Sequence, residues 1–157
     1  MAATRDTPGV IALPPLLFAG TLGLAFLLHL AFALPGLSLP GALRRAVGIV
    51  LILAGGGLLA AALQRFRQAG TNVSPMQPTT ALVVTGIYRF TRNPMYVGLS
   101  LVYAGIAYLA DSLVTLILLA PLLVVIRYGV IAPEERYMEA KFGDAYRDYK
   151  ARVRRWI

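Results

Sequence analysis

Four stretches of this 157-residue chain, residues 10–34, 46–64, 94–110 and 112–132, contain one charged side chain between them, Arg127. Each is close to the roughly 20 apolar residues that a helix needs to cross the hydrocarbon core of a bilayer. In lipid a spanning segment must satisfy its own backbone N–H and C=O groups, so runs of this length are read as helices. Composition agrees: 58% of the residues are hydrophobic and only 14% are charged, against roughly 25% charged in soluble domains. The expected fold is an all-α integral membrane protein with about four transmembrane helices and an amphipathic helical tail, a single domain over residues 1–157. The first stretch is too long for a secretory signal and lacks a small-residue cleavage pattern, so it is expected to stay in the mature protein.

Polar residues gather in the loop 65–93 and in the tail 133–157, while Asp111 alone joins the third and fourth stretches into an antiparallel hairpin. With four spans, Arg5, Arg65, Arg67, Arg89, Arg92 and the basic residues from Arg136 onward share one side, twelve in all, and Arg44 and Arg45 stand alone on the other. The positive-inside rule then makes the termini, the long loop and the tail cytoplasmic. The net charge of +8 is read as topology control and contact with anionic headgroups, not nucleic-acid binding. With no cysteine and a single histidine, His29, thiol chemistry, disulfides and a metal centre are not expected. The compact size, without sorting signals, points to a prokaryotic inner membrane.

Two polar clusters sit at the ends of apolar stretches. The first, TGIYRFTRNPMYVG at residues 85–98, is too polar to cross a bilayer. Its Asn93-Pro94 pair reads as a helix start, with Asn93 as N-cap and Pro94 in the first position. A helix N-terminus also suits a carboxylate or phosphate. The second cluster, PEER at residues 133–136, offers Glu134 and Glu135, read either as an acidic first turn or as carboxylates that meet a cation or hydroxyls. Arg127 lies two helical turns before Glu134 and is costly unless it snorkels, pairs or lines a cavity. Beyond the clusters, Met138, Phe142, Tyr146, Tyr149, Val153 and Trp156 recur at the spacing of one helix face, which predicts a basic tail anchored at the headgroups. Gly143 and Asp144 are expected to end one short helix and cap the next. The glycines at 55–57 are expected to allow close helix approach.

TALVVTGIYRFTRNPMYVG at residues 80–98 and EERYMEAKFGDAYRDYKARV at residues 134–153 together resemble the isoprenylcysteine carboxyl methyltransferase and phospholipid methyltransferase superfamily of integral membrane enzymes. The ordered set is a Leu-Val-x-x-Gly-x-Tyr run, Arg-Asn-Pro-x-Tyr-x-Gly, paired glutamates, and Phe-Gly-x-x-Tyr-x-x-Tyr. The resemblance implies S-adenosylmethionine as methyl donor, in a pocket at the cytoplasmic face. Carried over by position, the cofactor contacts are Val73, Thr80, Ala81, Leu82, Val83, Tyr88, Asn93, Pro94, Met95, Tyr96 and Glu134. Arg127, Glu135 and Arg92 are the candidate catalytic residues: an arginine to hold an anionic acceptor, Glu135 to accept a proton from an amine. The sequence departs from the superfamily at two places. Asn93 stands where eukaryotic members have histidine, and Val130 stands where carboxyl methyltransferases have a substrate-binding arginine.

The expected activity is methyl transfer to a lipophilic carboxylate, amine or thiol that enters from the bilayer. Two alternatives predict different ligands. A membrane reductase of the sterol-reductase type would bind NADPH, and a non-enzymatic partner or lipid-sensing protein would bind no small molecule.

Overall fold

A computed structural model describes residues 6–157; Arg5, counted above on the cytoplasmic side, lies outside them. Among the described residues there is no strand. The helices are α1 (Pro14–Phe32), α2 (Gly41–Gln68), a 3₁₀ turn (Gly86–Arg89), α3 (Pro94–Leu109), α4 (Leu113–Ile126), a π turn (Arg127–Ile131), α5 (Ala132–Phe142) and α6 (Asp144–Arg152). Helices α4 and α5 and the π turn form one continuous helix, Leu113–Phe142.

Among the described residues, three helices are long and apolar enough to cross a membrane: Pro14–Phe32, Gly41–Gln68 and Leu113–Phe142. The fourth apolar helix, α3, has 16 residues, about 24 Å at 1.5 Å per residue, short of the roughly 30 Å hydrocarbon core. Position explains the difference. Helix α3 is the inner element, packed against α2, α4 and α1, while the outer helices turn Leu27, Leu30, Leu53 and Ile117 to the surroundings. Large apolar side chains exposed in this number are what a lipid-facing surface requires. This is an integral membrane protein.

Glycine sets the tightest contact. Helices α2 and α3 run antiparallel, with Gly48 against Gly105 and Gly55 against Gly98. A Cβ on Gly55 would stand 2.6 Å from the Gly98 carbonyl oxygen, and one on Gly105 would stand 2.7 Å from that of Gly48. Gly56 and Gly57 meet no atom within 4 Å, so of the three glycines at 55–57 only the first makes the approach. At one end of the bundle Asp111, in the left-handed region at φ 54°, pairs with Arg44 and accepts the Leu37 N–H at 2.9 Å. That knot ties the α1–α2 connection to the α3–α4 hairpin.

The continuous helix changes pitch for an identifiable reason. In an α-helix the Gly129 carbonyl would accept from residue 133, but Pro133 has no N–H. The carbonyl instead accepts from Ile11 at 3.2 Å, and Gly129 has no side chain to block Ile11. The segment before α1 is thereby laid across the π turn. Gly143, at φ 54°, turns α5 into α6, and Asp144 becomes the first residue of α6 instead of its cap.

Gly55→Ala should lower stability by about 1–3 kcal/mol, the usual cost of overpacking, whereas Gly56→Ala should be close to neutral. Thermal unfolding in detergent checks the contrast.

Candidate functional site

The loop after α2, the start of α3, α5 and α6 enclose one cavity of about 830 Å³, counting the part open to solvent. Twelve of the fourteen residues proposed from sequence line it. The exceptions are Thr80 and Arg127. Thr80 braces the loop: its N–H donates to Thr71 Oγ1 at 2.9 Å and its hydroxyl to the Gly70 carbonyl at 3.2 Å. Arg127 is exposed, its guanidinium 5.2 Å from the Tyr128 ring centroid. The π turn takes more residues per turn than an α-helix, which breaks the seven-residue register that would have put Arg127 on the face of Glu134.

The two glutamates have opposite surroundings. Glu135 is buried and ion-paired. Arg155 donates to it from Nε at 3.0 Å and from Nη2 at 2.7 Å, and Arg92 Nη2 lies 3.3 Å away. A carboxylate so occupied is a structural anchor, not the free proton acceptor expected from sequence. Glu134 lines the cavity and accepts the Tyr96 hydroxyl, at 2.8 Å to Oε1. Among the described residues no Lys or Arg forms an ion pair with it. Arg92 complements it: its side chain is only 9% exposed, yet its Nε and Nη1 have no hydrogen-bond partner. Unpaired groups of this kind are costly in a closed protein. Here one unpaired carboxylate and one underused guanidinium line the same cavity.

Asn93 occupies the N-cap position of α3, but its side chain does not cap the helix. It donates from Nδ2 to the Arg155 carbonyl at 2.9 Å, which the Thr91 hydroxyl also reaches at 3.2 Å. The Arg92 N–H donates to the Arg154 carbonyl at 2.9 Å. The Arg-Asn-Pro motif therefore holds residues 153–157 as a strap beside the site. In the first turn of α3, the Tyr96 and Val97 N–H groups return to the Asn93 carbonyl, leaving little of the free donor array expected at a helix start.

The aromatic face of the tail turns inward. Tyr146 and Tyr149, expected at the headgroups, are buried and line the cavity. The Tyr149 hydroxyl donates to the Tyr88 carbonyl at 2.8 Å, tying α6 to the 3₁₀ turn. Burial first, and the nearby Glu135 charge second, push the Tyr146 phenol up to about 12. Burial likewise raises Tyr88 and Tyr149. All three phenols stay neutral at physiological pH. Phe66, on the last turns of α2, stacks at a tilt on Tyr88 with ring centroids 5.7 Å apart. Across the mouth, the Tyr137 hydroxyl accepts the Thr79 N–H at 3.1 Å and donates to Asp6 at 2.9 Å. Phe66, Tyr137 and Asp6 escape sequence reasoning because only the folded loop brings them here; Tyr146 and Tyr149 were visible in the tail motif but were assigned to the membrane surface.

A sequence model of the phospholipid methyltransferase family matches residues 43–145, which includes α2, α3, α4 and most of the cavity wall. The chain belongs to this family. An uncharacterized protein of Haemophilus influenzae is 45% identical over 64 residues, covering 40% of this chain and all of that protein. Protein-S-isoprenylcysteine O-methyltransferase of Schizosaccharomyces pombe is 35% identical over 72 residues, 46% of this chain and 30% of that enzyme's length. No solved structure matches the chain significantly. The family and the apolar helices together make this a membrane-embedded member of a methyltransferase family.

Tyr149→Phe would leave the buried Tyr88 carbonyl without its donor. The expected cost is about 1–3 kcal/mol, read as a lowered unfolding temperature in detergent.

Proposed function

We propose that the cavity binds S-adenosylmethionine at the cytoplasmic face and that the protein methylates a lipophilic acceptor which arrives ionised. The observation that carries this reading is that Glu134, which has no ion-pair partner among the described residues, and Arg92, whose Nε and Nη1 have no hydrogen-bond partner, line a single aromatic-walled cavity. The donor is cationic at its amino group and its sulfonium, which fits a carboxylate and aromatic walls. Glu134, oriented by Tyr96, is suited to the ammonium or the ribose hydroxyls. Tyr88 and Tyr96 offer faces that attract a sulfonium, and residues 81–83 with Met95 form the apolar wall. The bound donor supplies an electrophilic methyl group.

The work of the protein is then positioning and desolvation. Arg92 holds an anionic acceptor without a proton transfer. Glu135, already taken by two arginines, is not available as a general base. Of the carboxylate, amine and thiol acceptors, this arrangement favours one that needs no deprotonation, a carboxylate foremost. The apolar side chains exposed around the bundle support entry of the acceptor from the bilayer.

Calorimetry on detergent-purified protein, with NADPH as comparator, tests the reading. S-adenosylmethionine should bind selectively, and Glu134→Ala should weaken it about 10- to 100-fold, the loss of a charge-assisted contact. Equal binding by Glu134→Ala would remove Glu134 from the site. Preference for NADPH would favour a reductase, and binding of neither by folded protein would favour a non-enzymatic role.

A further inference from the structure

We propose that Arg155 is a positioning residue for the acceptor, acting through Arg92; this rests on the reading of Arg92 as the anion-holding group of a methyltransferase site. Two arginines compete for one buried carboxylate. Arg155 engages Glu135 at two points, 3.0 and 2.7 Å, whereas Arg92 touches it only through Nη2 at 3.3 Å. Arg155 holds that advantage because its backbone is fixed. Its carbonyl accepts from Asn93 and Thr91, the preceding carbonyl accepts from the Arg92 N–H, and the following residue, Trp156, packs on the core that contains Tyr96 and Val130.

The consequence is a division of charge. Glu135 is neutralised by the strap, and the remaining positive charge stays on Arg92, which lines the cavity and keeps two enclosed donors, Nε and Nη1, without a partner. Two-point arginine–carboxylate pairing is the strong geometry. Without Arg155, the Glu135 oxygens would draw Arg92 into that geometry and take its donors away from the acceptor. Arg155 thus sets acceptor charge preference without touching the acceptor. A strap that served only as a tether would predict something different: any break in the Arg155–Glu135 link would be equally harmful.

Butanoate and butanol, short enough to stay largely in the aqueous phase of a detergent solution, are the probes. Calorimetric titration of the wild type should show butanoate binding about tenfold more tightly than butanol, the worth of one charge-assisted contact. Arg155→Gln should bring that ratio close to one. Glu135→Gln alone should keep it, and the double variant Arg155→Gln/Glu135→Gln should regain it, although both break the strap's side-chain tie. Emission from Trp156, the only tryptophan, reports whether the strap is docked in each variant. A ratio unchanged in Arg155→Gln, lost in Glu135→Gln, or not regained in the double variant overturns the proposal, as does a wild type with no preference. S-adenosylhomocysteine binding, measured in the same samples, separately decides whether the cavity is a methyltransferase site.

Discussion

Glu135 is the point on which the cytoplasmic half of this protein converges. It lies on α5, one residue past Glu134, and receives Arg92 from the loop before α3 and Arg155 from the strap. An ion buried to this extent is expensive to desolvate, and removing one partner leaves an uncompensated charge. The pair is therefore poor evidence for stability as such but strong evidence for registry. With Glu135 fixed between two arginines, Glu134 must face the cavity and Tyr96 must meet it. The strap must also lie where the Thr91 and Asn93 side chains reach its carbonyls. Both arginines go to one carboxylate, and its neighbour Glu134 has no ion-pair partner among the described residues.

The membrane half is ordered without charges. Lipid gives no hydrophobic drive between helices, so close packing through small residues takes its place. Gly48, Gly55, Gly98 and Gly105 let α2 and α3 touch backbone to backbone. This contact sets where α3 begins relative to α2, and hence where Asn93, Met95 and Tyr96 stand relative to Phe66 and the following loop. The glycine contact and the Glu135 anchor act on opposite ends of the same requirement, which is to hold the first turn of α3 against the cavity.

The apolar runs made the helices legible in the sequence, and the family resemblance carried by the motifs at residues 80–98 and 134–153 picked out residues that line the cavity. Charge-free stretches leave no alternative to helix in lipid, and Gly143 marked the α5–α6 turn. Three features were not readable, each because tertiary structure overrode a local rule. Asn93 is a natural N-cap, but its side chain goes to a carbonyl more than sixty positions away in sequence, at Arg155. Tyr146 and Tyr149 have the spacing of a surface-lying face, yet they bury themselves against the 3₁₀ turn and the cavity. Arg127 and Glu134 are two α-helical turns apart, but the turn between them is π. The missing N–H of Pro133 was visible in the sequence; its effect on register was not.

That π turn also bears on how the acceptor is recognised. Val130, which stands where carboxyl methyltransferases have an arginine, is completely buried within it, in a core with Tyr103, Ile126 and Trp156. A guanidinium there would lie among apolar side chains with no carboxylate close enough to use it, because Glu135 is occupied. The segment before α1 closes over the same turn through the Ile11–Gly129 hydrogen bond, so the position has no route to water either. Any positive charge offered to an acceptor has to come from another element, and Arg92, entering from the loop before α3, is the arginine that lines the cavity. On the proposed reading, a valine at position 130 and an arginine at position 92 with two unpartnered donors are two sides of one arrangement, in which the helix supplies packing and the loop supplies charge.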